Sequence, residues 1–342
     1  MKVCVVGAGA IGGMIAVKLA LSGEDVSVID RGSHLAAIRS DGLKLRWQDG
    51  AVLIAKVRTF DNAAEAGEQD LIVLAVKSYD LERAVQQIER LLGSDTMVMT
   101  VQNGIPWWYF QREGGRFEGR TLTSLDPNEI LASAIDATRI IGSVAYPAAV
   151  VAEPGMVHHI EGDRFPLGEL DGRETERVGR VSEAFTQSGL KSRVISDIRA
   201  EIWLKAWGSL SFNPISALTH ATMEQICRYP KTRQLAADMM TEAQIIAEKL
   251  GIKFRHTIEK RLEGAEAVGA HKTSMLQDLE GGYPLETEAL VGSVLEMGRI
   301  TDTPTPASSA VYALLKLLET VVRGSDGILK VERIAASKSG PV

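Results

Sequence analysis

No stretch of this chain approaches the roughly 18 consecutive apolar residues that a membrane-spanning helix requires. Its first residues have the character of a buried strand, without the basic segment that opens a secretory leader. A cytoplasmic protein is therefore expected. Cysteine is scarce: Cys4 and Cys227 are the two in 342 residues. They are too few and too far apart for a disulfide framework or a metal-ligand spacing, which leaves packed thiols in a reducing compartment. Basic clusters are missing as well. Lys and Arg number 38 against 44 Asp and Glu, a net charge of −6, and no Arg-rich arm occurs, which argues against nucleic acid as a partner. An anionic ligand must then be attracted by a few placed cations and by backbone dipoles, not by the field of the whole molecule. Metal binding lacks a pattern too, because adjacent His158 and His159 on a strand point to opposite faces. No internal repeat or low-complexity segment is present.

What is there starts at the first residue. In MKVCVVGAGAIGGMIAVKLALSGEDVSVID, a short β-branched run precedes Gly7, Gly9 and Gly12. Apolar residues at helical spacing follow up to Gly23, then a second strand ends at Asp30. A glycine triplet alone is weak evidence, but between a strand and a helix, with an acid 18 positions after Gly12, it is the dinucleotide fingerprint. Gly7 allows the tight turn, Gly9 admits the pyrophosphate to the backbone, and Gly12 lets helix and strand pack. The loop as a whole, Gly7, Ala8, Gly9, Ala10, Ile11 and Gly12, offers free N–H groups at a positive helix end. Further strands are predicted over 70–80, ending near Lys77, and over 96–105, ending at Asn103 and Gly104. Ligands of an open parallel sheet lie beyond the carboxyl ends of its strands. On position alone, Lys77 could equally be a solvated loop cation and Asn103-Gly104 a plain turn. Residues 139–162 are expected as strands interrupted by Pro147 and Pro154-Gly155, extending the sheet in antiparallel fashion. The polar, irregular stretch 112–138 yields no predicted element.

From about Asp197 strand signals vanish and helical periodicity takes over, at 198–212, 232–250, 256–278, 283–301 and 306–323. The expected architecture is an α/β Rossmann-type doubly wound domain over 1–197, an all-α domain over 198–335 and a disordered tail at 336–342. A small-molecule site is expected in the cleft between the domains. Exposed apolar stripes on the later helices leave a homodimer open. Within EIWLKAWGSLSFNP, Lys205, Ser209 and Asn213 stand at i, i+4 and i+8, on one helix face within about 80°. Trp203, Trp207 and Leu210 form a neighbouring apolar stripe. A lysine set among such residues is either snorkelling to solvent or held for a purpose.

These segments, with GAGAIG, LAVKSYD, VQNG, IWLKAWGSLSFNPISALT and TSMLQDLEGGYPLETEALVGSVLEMG, resemble the 2-dehydropantoate 2-reductase (ketopantoate reductase) family over nearly the whole chain. The resemblance implies NADP(H)-dependent reduction of 2-dehydropantoate to pantoate, a step of pantothenate biosynthesis. It implies that Lys205 is the general acid on the keto oxygen and Glu286 the carboxylate that holds a substrate hydroxyl and influences the lysine. Asn103, Asn213 and Ser274 match substrate positions, Asn103 also lying near the nicotinamide. Lys77 and Arg31 match cofactor-holding cations, and Ala148 a cofactor-lining residue. The chain departs from the pattern at Ser209, where the family commonly has an asparagine of longer reach, and at Glu288, where an aspartate is expected. Asp30 raises the possibility of NAD(H), because an acid there accepts hydrogen bonds from free ribose hydroxyls and repels a 2′-phosphate. Two alternatives stay open at this point: an NAD-dependent D-2-hydroxyacid dehydrogenase acting on another branched 2-ketoacid, and a non-catalytic nucleotide-sensing module.

Overall fold

The computed structural model describes residues 1–324; the domain limit expected at 335 and the tail expected at 336–342 lie outside them. The first strand, Lys2–Val6, sits near the middle of an eight-stranded sheet whose order is 191–194, 164–169, 140–143, 92–100, 69–74, 2–6, 25–29, 58–60. Val3, Cys4 and Val5 have no solvent exposure, because the sheet is covered on both faces and its central strands need apolar residues at every position. Neighbouring strands are parallel except for Arg164–Glu169 against Ile140–Ser143, which is antiparallel. Strand order reverses beside Lys2–Val6. The ends of that strand and of Gln69–Leu74 therefore border the crevice where such sheets bind ligands.

The expected antiparallel extension is realised by Arg164–Glu169 alone. The hairpin Ala148–Glu153 and Met156–Glu161, turned at Gly155, instead joins Leu43–Arg46 and Val52–Ala55 in a separate four-stranded sheet. That sheet lies over the first helix, Ala10–Leu21, where the methyl of Val157 occupies the space a Cβ on Gly13 would take. His159 is buried there, stacked on Trp47 with ring centroids 3.8 Å apart. Among the described residues no cluster of His, Cys, Asp and Glu could hold a metal ion, and no helix is long and apolar enough to cross a membrane.

The helical half opens with Ile198–Thr219. The predicted end at 212 is overrun: the helix continues through Pro214, although an interior proline costs about 3 kcal/mol. Burial of Phe212, Ile215 and Ala217 outweighs that cost. Trp203, Trp207 and Leu210 are fully buried. The Trp203 indole donates to the Tyr109 hydroxyl at 2.7 Å, and that of Trp207 to the Met240 carbonyl at 2.8 Å. One hydrophobic cluster runs without a break from Ile72 and Val98 of the sheet through Trp108 and Tyr109 to Trp203 and Trp207. The helix is thus bolted to the sheet, and its opposite face is held at a fixed place. The helix predicted over 256–278 is two helices, Ile258–Ala267 and Ser274–Glu280. Gly269 at φ +81° stops the first, and the Thr273 hydroxyl, accepting from the Leu276 N–H at 3.3 Å, caps the second.

Candidate active site

A cleft of about 760 Å³ separates the glycine loop from the helical half. Gly7 has φ +92°, and a Cβ there would stand 2.8 Å from Val76 Cγ1. A Cβ on Gly12 would stand 1.9 Å from the Gly7 carbonyl oxygen, so glycine is what lets the helix close onto the loop. Around Gly9 a Cβ would meet nothing within 4 Å. The loop therefore holds open space at the start of Ala10–Leu21, where N–H groups lack intrahelical acceptors. Gly7, Gly9, Ala10 and Ile11 line the cleft. Ala8 is buried and Gly12 lies beneath the loop. Asp30 is tied into this turn: its Oδ2 accepts from the Ala8 N–H and its Oδ1 from the Arg31 N–H, each at 2.7 Å. The exposed Arg31 guanidinium reaches Asp80 at 3.4 Å. Such an exposed pair is weak and easily exchanged for a ligand anion.

Across the cleft, Lys205 projects from the anchored helix to the sheet ends. Its ammonium donates to Asn103 Oδ1 at 2.6 Å and to the Ala145 carbonyl. Both acceptors are neutral, and two of the three ammonium hydrogens are engaged, which leaves one. Burial pushes the Lys205 pKa down to about 8, and the negative charge of Glu286 opposes the fall. Asn103 is held by its neighbour: a Cβ on Gly104, at φ +82°, would lie 2.1 Å from the Ala289 carbonyl oxygen, and Ile105 donates to that same oxygen at 3.0 Å. The turn that presents Asn103 is thereby locked against the helical half.

Glu286 is 5% exposed and immediately precedes a helix whose first turns, Glu288–Gly292, are π-helical. Its Oε1 accepts from the Ser78 N–H at 3.1 Å, and its Oε2 lies 3.4 Å from the Lys77 ammonium. Lys77 bonds more closely to Asp278, at 2.7 Å. Burial alone would lower the Lys77 pKa, but Glu286 and Asp278 together outweigh it and hold it above the ordinary lysine value. Asn213 donates to the Ser274 hydroxyl at 3.4 Å, and Ser209 turns its hydroxyl back onto the Lys205 carbonyl at 3.3 Å. All three, with Ala148, line the same cleft as Lys205 and Glu286. The structure thus gathers fourteen of the sixteen residues singled out from sequence on one wall or the other, the exceptions being Ala8 and Gly12.

Of the charged residues that sequence reasoning passed over, Asp278 reaches the site through its ion pair with Lys77, and Arg261 lines the cleft itself. Asp278 sits four residues after Ser274 in the same short helix, a spacing that marks a shared face. Arg261 comes from the neighbouring helix Ile258–Ala267, where nothing local distinguishes it from its charged neighbours. A second cavity of about 550 Å³ lies behind Glu286 and is walled in part by Ser124, Leu125, Pro127 and Ile130. The segment 112–138 thus forms structure of its own. Within it Asp126 accepts from Leu131 and Ala132, and the buried Glu296 accepts from the Thr123 and Ser124 N–H groups at 2.9 and 2.8 Å.

Family models described as "Ketopantoate reductase PanE/ApbA" and "Ketopantoate reductase PanE/ApbA C terminal" match residues 3–172 and 197–319. A 2-dehydropantoate 2-reductase of Mesorhizobium japonicum is 50% identical over 325 residues, covering 95% of this chain and 99% of the relative. Among solved structures, a Ralstonia solanacearum protein assigned to the ketopantoate reductases superposes with a TM-score of 0.89 at 36% identity, covering 94% of this chain and 98% of the other. The 2-dehydropantoate 2-reductase of Geobacter metallireducens gives 0.82 at 29% identity, covering 93% and 100%.

Proposed function

The chain belongs to the ketopantoate reductase PanE/ApbA family, and on that premise we propose that it reduces 2-dehydropantoate to pantoate with NADPH, Lys205 serving as the general acid. The observation that carries this reading is the Lys205 ammonium, part-buried at the sheet ends with one N–H left for a ligand. The dinucleotide, when bound, supplies the hydride. The open space at Gly9 and the unpaired N–H groups of the helix start suit its pyrophosphate, while Arg31 stands where a 2′-phosphate needs a cation. Asp30 opposes that choice by its charge, although each of its oxygens already accepts from a backbone N–H, that of Ala8 and that of Arg31. Glu286, Asn213 and Ser274 are the polar groups proposed to hold the substrate, and Ala148 and Lys77 to border the cofactor. Ser209, whose hydroxyl turns away to the helix backbone, leaves more room beside the lysine than an asparagine would.

Carbonyl reduction builds negative charge on oxygen, and an ammonium fixed beside that oxygen both stabilises the charge and delivers the proton. Asn103 and the Ala145 carbonyl orient the amine without neutralising it. The two free, buried cysteines suit a reducing compartment such as the cytoplasm. Should two copies associate, the exposed Leu314 and Leu317 of the last described helix supply an apolar stripe, and light scattering reads the state directly.

The decisive assay follows cofactor oxidation with 2-dehydropantoate and a small set of branched 2-ketoacids, using both reduced nicotinamides. The expected result is a higher kcat/KM with 2-dehydropantoate and NADPH. A tenfold or larger preference for NADH would show the Asp30 carboxylate prevailing over Arg31, and turnover of no 2-ketoacid would remove the reading altogether. The pH profile is a second prediction. Because burial lowers the lysine pKa, the proton donor is lost as pH rises through about 8 and not near 10.5, so kcat/KM falls about tenfold per pH unit beyond that point. Replacing Glu286 by Gln removes the charge that opposes the shift, and the alkaline limb should move to lower pH. A limb that stays at the ordinary lysine value in both proteins would contradict the assignment of Lys205.

A further inference from the structure

A 2-ketoacid carries a carboxylate beside its keto group, and a chain of net charge −6 needs a placed cation to receive it. Most cations of the cleft are already engaged. Lys205 and Lys77 have the acceptors described above, Arg31 pairs with Asp80, and Arg164 lies over the Tyr146 ring at 4.2 Å. Arg83 is exposed. Arg261 differs from all of these. It is half-buried and lines the cleft, and its side chain has no hydrogen bond or ion pair among the described residues; its Nε–H is buried without an acceptor. Tyr146 is the titratable group that acts on it electrostatically, and the Tyr146 hydroxyl is itself committed to Glu201 at 2.8 Å. An unpaired, partly buried guanidinium is costly to keep, and a ligand anion is the ordinary reason for one.

The neighbouring helix is shaped for this side chain. Lys205, Gly208, Ser209 and Phe212 face the cleft together. A Cβ on Gly208 would stand 2.4 Å from Arg261 Nη2 and 3.0 Å from its Nε. The guanidinium therefore lies against bare backbone, one helical turn from the Lys205 position. The short Ser209 is next to that contact.

We infer that Arg261 receives the carboxylate of the 2-ketoacid substrate, its planar fork pairing with the two carboxylate oxygens while the adjacent keto oxygen meets Lys205. This assignment rests on the reductase reading given above. The substrate then brings the counter-ion that the folded chain lacks, and specificity for an acid over a neutral ketone resides in a residue outside the Lys205, Asn213, Ser274 and Glu286 set.

Three proteins test it: wild type, Arg261→Gln and Gly208→Ala, each assayed with 2-dehydropantoate and with its methyl ester, alongside NADPH binding followed by nicotinamide fluorescence. Arg261→Gln should raise KM for the acid by about 10- to 100-fold, the range for losing a hydrogen-bonded charge partner. NADPH affinity should stay within about twofold, and the acid-to-ester ratio of kcat/KM should collapse by the same factor as KM rises. Gly208→Ala keeps the charge but displaces the guanidinium, so it should move KM and the ratio in the same direction. Arg261→Lys, which retains charge without the fork, should fall between wild type and Arg261→Gln and covers the case of a Gln variant that fails to fold. An Arg261→Gln enzyme with intact NADPH binding and an unchanged acid-to-ester ratio overturns the inference while leaving the reductase reading in place. A wild-type protein inactive on every 2-ketoacid removes both.

Discussion

Replacing Lys205 by alanine is expected to lower kcat by about 10²–10⁴-fold, the range attributable to a positioned general acid, while NADPH affinity changes by less than about twofold. The separation follows from the geometry. Lys205 contacts Asn103 and the Ala145 carbonyl, and its remaining N–H is the group free for an oxygen in the cleft; the glycine loop that grips pyrophosphate is built from other residues. The fold should survive as well. The helix is anchored by Trp203 and Trp207 on its other side, and an ammonium whose pKa is pushed down to about 8 by burial is a cost to the folded state. Linkage fixes the sign: with the folded pKa below the unfolded one, the unfolded chain binds more protons between about pH 8 and 10.5. The destabilising contribution of Lys205 is therefore full below pH 8 and fades as pH rises through that window. Lys205→Ala should accordingly melt no lower than wild type at neutral pH. Single-turnover kinetics and a thermal melt read the two effects separately, and full turnover in the variant would show that the proton comes from elsewhere.

What was legible in the sequence was what short-range geometry dictates. The glycine loop, its strand and its helix are contiguous, so their spacing alone specifies the turn. The row Lys205, Ser209, Asn213 and the stripe Trp203, Trp207, Leu210 follow from the helical repeat, and the structure buries the second while turning the first toward the cleft. Illegible features depend on partners far away in the chain. Lys77 meets Asp278 across 201 positions, and no local pattern reports that pairing. Arg261 matters because Gly208 lacks a Cβ, a relation between two helices. Pro214 is a helix breaker by propensity, and only the burial around it keeps the helix whole. The break at Gly269 was visible in principle, since a glycine followed four residues later by a capping threonine is a stop and a start. Helical periodicity on both sides concealed it. Segment 112–138 gave no signal because its order comes from side-chain contacts such as Glu296 with Thr123 and Ser124, not from a repeating pattern.

The glycine loop offers the other large effect, and two of its glycines should fail in different ways. At Gly9 the protein has no atom within 4 Å of where a Cβ would stand, so Gly9→Ala should fold and melt like wild type. The added methyl projects into the space reserved for the pyrophosphate, and NADPH affinity should fall by about 100-fold or more, as expected when backbone N–H groups lose their approach to a charged ligand. At Gly12 the obstacle is the chain itself: a Cβ would sit 1.9 Å from the Gly7 carbonyl oxygen and 2.8 Å from the Ala75 Cβ. Neither neighbour can rotate away, because one is backbone and the other follows a central strand. Gly12→Ala must therefore push the first helix off the sheet and disturb the packing of Met14 and Ile15, both fully buried. Its expected signature is a loss of stability of several kcal/mol, in the range of overpacked cores, together with lost cofactor binding. Thermal melts with and without NADPH distinguish the two variants. Ligand should raise the melting temperature of wild type strongly and that of Gly9→Ala hardly at all. If Gly9→Ala instead bound NADPH as wild type does, the pyrophosphate would have to lie elsewhere than at the start of Ala10–Leu21, and the orientation of the nicotinamide toward Lys205 would lose its basis.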